Sequence, residues 1–205
     1  MAELSRRYDF TVLADEVYHP LGYTSAPPAP MARFCTSAHV ISLGSFSKIL
    51  APGLRLGWLQ AVPEVIERIV KCGLLDSGGG LNPFTSGVVR SAMELGLLDE
   101  NLALLKDTYS RRMLAMCAAL RSKLPLSVRF TEPAGGFFIW LSLPDGTDAL
   151  GLLSKAIARN VEFMPGPKFS SRQGLKNCLR LSFAYYDTPD LLKGIERLAA
   201  VIGQG

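Results

Sequence analysis

The sequence predicts an α/β protein built from a partial sheet of two parallel strands and one antiparallel strand, followed by a small α+β unit. Two short apolar segments, FTVLA and VISL, are separated by a long connection, as parallel strands are. A third segment, LRLGWLQA, follows the second after a short connection. Beyond residue 127, short strand-like segments alternate with helical ones.

The first two segments, 10–14 and 40–43, are branched, apolar and end abruptly at a polar or glycine residue. This pattern is typical of strands buried on both faces, which belong to parallel sheets. The connection over 16–39 is long enough for a parallel crossover. The third segment, 54–61, lies too close behind the second for a parallel return, so we expect it to be antiparallel.

Apolar residues at helical spacing predict further elements, with a long amphipathic helix between two halves of the chain. The sequence DSGGGLNP, which includes Gly78, Gly79 and Gly80, predicts a flexible loop. We expect two domains, 1–98 and 99–205, the second beginning with the long helix. The predicted helices are 63–75, 85–97, 99–124, 149–159 and 189–202, and the predicted later strands are VRF, GGFFIWLSL and CLRLSFAY.

Composition excludes several classes of function. The chain has 205 residues, 48% of them apolar, and a net charge of +4 without a long basic run, so nucleic acid is a poor candidate partner. We find neither the apolar core of a signal peptide nor a membrane-spanning segment, and we expect a soluble, cytoplasmic protein. The four cysteines lack metal-ligand spacing, and we interpret them as reduced packing residues. We expect no metal.

Charged and hydroxyl residues gather where ligands bind in doubly wound sheets, beyond the carboxyl ends of the strands. Asp15 follows the first strand, and Lys48 follows the second after Ser45 and Ser47. An antiparallel third strand would begin at this edge with Arg55. Taken singly, Asp15 and the serines could cap turns or helices and Lys48 could be solvated. Together they fit a ligand with a phosphate, a carbonyl and a basic ring nitrogen.

The segments VLADEVY and SLGSFSKILAPGLRLGW resemble the cofactor-binding core of class I/II aminotransferases, which are fold-type I enzymes dependent on pyridoxal 5'-phosphate. Downstream, PAGGFFIWLSLP, VEFMPGPKF and NCLRLSFAY resemble the small-domain motifs of the same family in the same order. The resemblance implies that 1–98 is the residual C-terminal part of the large, cofactor-binding domain. It implies that 99–205 is the linking helix and the small C-terminal domain.

The resemblance also implies catalytic roles. Lys48 would form the internal aldimine with the cofactor and later move the proton of the substrate α-carbon, because an amine is needed to condense with the aldehyde. Asp15 would pair with the protonated pyridine nitrogen and keep the ring an electron sink. Tyr18 would donate its hydroxyl to the phenolic oxygen of the cofactor.

Binding roles follow in the same way. Ser45 and Arg55, helped by Ser47, would hold the cofactor phosphate, since a guanidinium matches phosphate oxygens in two parallel hydrogen bonds. Arg180 in NCLRLSFAY resembles the arginine that grips the α-carboxylate of the substrate.

Complete members of the family are much longer, and the resemblance implies that this chain matches only their C-terminal half. We expect strands left with an open flank and apolar surface exposed. We also expect weak cofactor binding and little or no activity by this chain alone, and a homodimer for the complete protein.

Three functions stay open on these residues, beside a fourth alternative, a degenerate or truncated product with only a structural role. The first is an aminotransferase that moves an amino group from an α-amino acid to a 2-oxo acid. The second is a β-eliminating lyase, because Lys48 and Asp15 serve both reactions. The third is a non-catalytic domain that binds the cofactor and senses a ligand.

Overall fold

The computed structural model describes residues 1–76 and 82–203, and the chain divides into two compact units, Met1–Lys106 and Asp107–Gly205. The predicted boundary at 98/99 precedes this division, and the functional assignment of the two domains stays a prediction. Gly78, Gly79 and Gly80 of the predicted loop lie outside the described residues.

The first unit contains a three-stranded sheet of β1 (Val12–Asp15), β2 (Val40–Ser45) and β3 (Gly57–Gln60), in the order β1-β2-β3. Strands β1 and β2 are parallel, with Val12 aligned with Val40, and β2 and β3 are antiparallel. The predicted sheet of two parallel strands and one antiparallel strand is therefore confirmed.

Two details of that prediction are wrong. The third strand does not begin at Leu54, because Pro52–Leu54 forms a 3₁₀ turn and Arg55 has a left-handed φ of 50°, which no extended strand accommodates. Burial of β1 on both faces is also wrong, since Leu13 is 65% exposed. The described sheet has β1 as an outer strand, with residues alternating between half-buried and exposed.

Helices of the first unit begin where the sequence supplies start signals. Proline stands in the first turn of two of them, where its missing N–H costs no hydrogen bond. Gly96, with a φ of 75°, joins α4 to α5, and its N–H donates to the Met93 carbonyl at 3.0 Å. The helices are α1 (Ala2–Arg7), α2 (Pro63–Val70), α3 (Gly73–Asp76), α4 (Pro83–Glu94) and α5 (Leu97–Lys123), which continues into the second unit.

The second unit is an α+β arrangement with an antiparallel sheet in the order β4-β5-β7-β6. Aspartates cap its two later helices, Asp148 accepting from the Leu150 N–H at 3.0 Å and Asp187 from the Asp190 N–H at 3.1 Å. Its elements are β4 (Arg129–Phe130), β5 (Phe138–Ser142), α6 (Ala149–Ile157), β6 (Met164–Pro165), β7 (Cys178–Ser182) and α7 (Thr188–Ile202).

The core of the second unit forms between the sheet and its helices. Alternate residues of β5 and three residues of β7 are buried, and α5, α6 and α7 each bury apolar side chains as well. Among the fully buried side chains are Met113, Leu120, Ile139, Leu141, Leu179, Phe183 and Leu198.

The cysteines differ in their surroundings, and all four are free thiols. Cys117 and Cys178 are buried, and burial raises the pKa of the Cys117 thiol to about 11, so it is an unreactive packing residue. The prediction of a packing role is wrong for Cys72, which is exposed. No helix within 1–76 and 82–203 combines the length and the apolarity that crossing a bilayer requires.

Close packing at Gly44 of β2 gives the first testable prediction. A Cβ at this position would collide with the Trp58 indole of β3. We expect Gly44→Ala to lower the free energy of unfolding by about 1–3 kcal/mol, because overpacking forces strand and indole apart. Urea unfolding followed by tryptophan fluorescence measures the change.

The matched control is Gly53→Ala in the 3₁₀ turn, where a Cβ meets nothing within 4 Å. We expect this substitution to leave the unfolding midpoint nearly unchanged. Equal destabilisation by the two alanines would contradict the account.

Candidate active site

Three segments of the first unit end at one edge of its sheet. Asp15 is the last residue of β1 and is aligned with Leu43 of β2. Ser45, the last residue of β2, is paired with Gly57, the first residue of β3. Arg55 lies two residues before β3, so the carboxyl ends of β1 and β2 and the amino end of β3 meet at this edge.

Lys48 lies in the turn that follows β2. The Phe46 carbonyl accepts hydrogen bonds from the N–H groups of Ile49 (3.3 Å), Leu50 (2.8 Å) and Ala51 (3.2 Å), which closes the turn. The Lys48 ammonium lies 5.8 Å from the centroid of the Tyr18 ring, within range of a cation–π interaction. The structure thus brings together two residues that the sequence assigned to one site.

The remaining predicted residues of this edge also take part in local hydrogen bonds. The Ser45 hydroxyl accepts from the Ser47 N–H at 3.1 Å, and an Asp15 carboxylate oxygen accepts from the Val17 N–H at 3.4 Å. The Arg55 guanidinium donates to the Pro52 carbonyl at 3.4 Å. Ser45 therefore has the turn-capping role considered for it, whereas no helix begins at Asp15 and its carboxylate bonds within a turn. Each side chain keeps further acceptor capacity for a ligand.

Charge at the edge favours an anionic, carbonyl-bearing ligand. Within the described part of the chain, neither Lys48 nor Arg55 forms an ion pair. Arg55 is exposed and Lys48 is half-buried. An amine, a guanidinium, a carboxylate and hydroxyls at one edge are the donor and acceptor set that a phosphorylated aldehyde with a ring nitrogen requires.

Glu16, which the sequence reasoning missed, anchors the end of β1. Its carboxylate accepts from the Ser42 hydroxyl at 2.6 Å and from the N–H groups of Met31 at 2.7 Å and Ala32 at 3.2 Å, at the start of the 3₁₀ turn Met31–Phe34. Burial raises the pKa of Glu16, but these hydrogen bonds outweigh burial and leave it below the ordinary value.

Two asparagines that the sequence reasoning did not assign to the site hold the segment between β2 and β3. The Asn82 side-chain amide donates to the Leu54 carbonyl at 3.2 Å, next to Arg55. The Asn101 amide, from α5, donates to the Ile49 carbonyl at 2.9 Å, next to Lys48. No local pattern could have found either contact, since the partners are far apart in sequence.

Arg180 belongs to the second unit and lies on β7 between Trp140 of β5 and Met164 of β6. Its guanidinium carbon lies 3.8 Å from the centroid of the Phe138 ring and 4.7 Å from that of Phe169. These stacking contacts orient a planar cation without occupying all its N–H donors. Arg180 also lines a cavity of about 770 Å³ within this unit.

Comparison with known proteins assigns the class. The sequence profile of the family described as aminotransferase class I and II matches residues 1–198. The chain belongs to this family, whose members depend on pyridoxal phosphate.

Several proteins that this chain resembles are aminotransferases. An aromatic-amino-acid aminotransferase of Thermococcus litoralis is 36% identical over 98% of this chain and 48% of its own length. A 2-aminoadipate transaminase of Thermus thermophilus is 35% identical over 93% of this chain and 48% of its own. The crystal structure of Pyrococcus horikoshii kynurenine aminotransferase, in complex with PMP, is 36% identical with a TM-score of 0.92, over 99% of this chain and 50% of its own. The chain therefore spans about half the length of the relatives it matches.

The hydrogen bonds of Glu16 give a second testable prediction. At neutral pH we expect Glu16→Gln to lower the free energy of unfolding by about 1 kcal/mol, because an amide replaces one acceptor oxygen and solvent screens the half-exposed charge. Since folding lowers the pKa of Glu16, the stabilisation is present above the unfolded-state value near 4.5 and is lost as pH falls through the folded-state value.

Urea unfolding at neutral and at acidic pH measures this difference, with Glu67→Gln on α2, an exposed glutamate, as the control. A Glu16→Gln effect that stays constant from neutral pH to below pH 4.5 would contradict the role of the ionised carboxylate.

Proposed function

We propose that the chain forms part of a pyridoxal-phosphate-dependent aminotransferase, which moves an amino group from an α-amino acid to a 2-oxo acid. One observation carries the proposal: Lys48, Tyr18, Asp15 and Arg55 belong to one sheet edge in a chain of this family. The substrate class follows the relatives, which include enzymes named for aromatic amino acids, 2-aminoadipate and kynurenine.

Lys48 is the residue that would hold the cofactor covalently through its amine. When bound, the cofactor supplies an aldehyde for the amino group and a ring that withdraws electrons from the substrate α-carbon. Lys48 Nζ would be the base that accepts the proton of that carbon and returns it. The neighbouring Tyr18 ring limits the positions open to the ammonium.

Asp15 would accept a hydrogen bond from the protonated ring nitrogen. Its place at the end of β1 keeps its carboxylate at the ligand edge, and Glu16 fixes the backbone next to it. A carboxylate is required there, because it favours the protonated ring over the neutral one. Tyr18 would donate its hydroxyl to the phenolic oxygen.

Ser45, Ser47 and Arg55 would bind the phosphate. The left-handed backbone of Arg55 turns the chain immediately before β3, which keeps its guanidinium at the exposed edge rather than within the strand. Arg180 of the second unit would bind the substrate carboxylate, with Phe138 and Phe169 keeping its guanidinium plane fixed.

We propose further that this chain alone binds the cofactor weakly and that the complete protein is a homodimer. Exposed apolar side chains support an additional partner surface on the first unit, since Leu13 of β1 is 65% exposed and Phe84 of α4 is 83% exposed. Such exposure favours association over independent function.

The proposed function predicts that pyridoxal phosphate labels Lys48 in preference to the other lysines, which can be tested directly. After incubation with pyridoxal phosphate and reduction with borohydride, we expect the cofactor mass on the peptide that contains Lys48. Lys48→Ala should abolish this adduct, because no other amine occupies the turn, whereas Lys71→Ala at the end of α2 should leave it intact. Peptide mass spectrometry measures both.

Labelling spread evenly over surface lysines would overturn the assignment of Lys48. An assay with added amino acid separates the candidate reactions: release of a 2-oxo acid that depends on a 2-oxo acid acceptor supports amino transfer. Release without an acceptor, through β-elimination, supports a lyase.

Arg55 gives a test of the phosphate site. We expect Arg55→Lys to weaken pyridoxal phosphate binding about tenfold, because a lysine retains the charge but loses paired donation to two oxygens. Pyridoxal without the phosphate should bind both proteins equally. Absorbance titration measures the affinities, with Arg68→Lys on α2 as control, and an equal loss for the two ligands would contradict phosphate binding by Arg55.

A further inference from the structure

We infer that Asn101 is a positioning residue for Lys48, acting through the Ile49 carbonyl. The inference rests on the proposed function of Lys48 and adds a residue from a distant helix to that site. The Asn101 side-chain amide donates to the Ile49 carbonyl at 2.9 Å, across a separation of 52 residues.

The turn that carries Lys48 is fixed at three places. The Phe46 carbonyl accepts from the N–H groups of Ile49, Leu50 and Ala51, which closes the inside of the turn. The Ile49 side chain is 4% exposed, which anchors the turn in the core of the first unit. The Asn101 amide binds the Ile49 carbonyl, which the turn itself does not satisfy.

Each of these three contacts restrains the residue beside Lys48 in a different way. The hydrogen bonds to the Phe46 carbonyl set the curvature of the turn. The buried Ile49 side chain sets how deeply the turn packs into the first unit. By donating to the Ile49 carbonyl, the Asn101 side-chain amide fixes the peptide plane between Ile49 and Leu50. A lysine side chain has four rotatable bonds, so the position of its ammonium depends on how well its own backbone is held.

Asn101 is itself well held. It lies in the second turn of α5, and Gly96 joins this helix to α4 with a left-handed backbone. The helix extends to Lys123, so its first turns belong to a long helix and not to a short segment that would fray. A rigid helix is thereby connected to the turn of the proposed reactive amine.

Substitution of Asn101 by leucine removes the donor and keeps the number and branching of the side-chain heavy atoms. In the cofactor-free chain, we expect Asn101→Leu to speed hydrogen exchange at the Leu50 and Ala51 amides about fivefold, the equivalent of one ordinary hydrogen bond. We expect the rate of borohydride-trapped labelling of Lys48 by pyridoxal phosphate to fall several-fold. Asn101→Gln keeps the donor and should recover part of both quantities.

The matched control is Asn177→Leu. Asn177 donates to the Leu143 carbonyl at 2.8 Å in the second unit. Its replacement by leucine therefore removes the same kind of hydrogen bond at a position far from Lys48 in sequence. We expect comparable loss of overall stability, with unchanged exchange at Leu50 and Ala51 and unchanged labelling of Lys48.

The outcomes separate this inference from the proposed function. If the unsubstituted chain is not labelled at Lys48 even at saturating pyridoxal phosphate, the proposed function fails, and hydrogen exchange still decides whether Asn101 holds the turn. If the chain is labelled but Asn101→Leu matches it in both exchange and labelling, the inference is overturned. Equal effects of Asn101→Leu and Asn177→Leu on Lys48 would overturn it as well.

Discussion

The close pairing of β2 with β3 is the constraint on which the candidate site depends. Gly44 leaves room for the Trp58 indole, and a Cβ on Gly57 would come within 2.7 Å of the Gly44 carbonyl, so neither glycine tolerates a side chain without displacement. Because β2 and β3 are antiparallel and Ser45 pairs with Gly57, the chain between these two residues must reverse at the sheet edge. That reversal holds both Lys48 and Arg55 at the edge where β1 ends.

Hydrogen bonds to distant parts of the chain turn this reversal into a defined structure. The segment from Phe46 to Leu56 has little regular structure of its own, and Asn82 and Asn101 bind carbonyls near its two charged residues. Glu16 does the same for the end of β1, where Asp15 lies. Charged side chains are thus presented by a backbone whose carbonyls and N–H groups are satisfied elsewhere.

Local patterns in the sequence were sufficient for the parallel pair, the antiparallel third strand and the grouping of Asp15, Lys48 and Arg55 at one edge. They failed for the start of β3, because the left-handed Arg55 is set by the tertiary reversal and carries no signal of its own. They also failed to predict β6, because a strand of two residues is too short to show an alternation of apolar and polar side chains. Glu16, Asn82 and Asn101 were missed because each binds a residue distant in sequence.

The central claim is that one phosphorylated aldehyde binds Asp15, Lys48 and Arg55 together. A crystal structure of the borohydride-reduced adduct tests it most directly. The account predicts electron density continuous with Lys48 Nζ, the phosphate within hydrogen-bond distance of Arg55 and the ring nitrogen against Asp15. An adduct on Lys48 whose phosphate and ring nitrogen contact neither residue would contradict it.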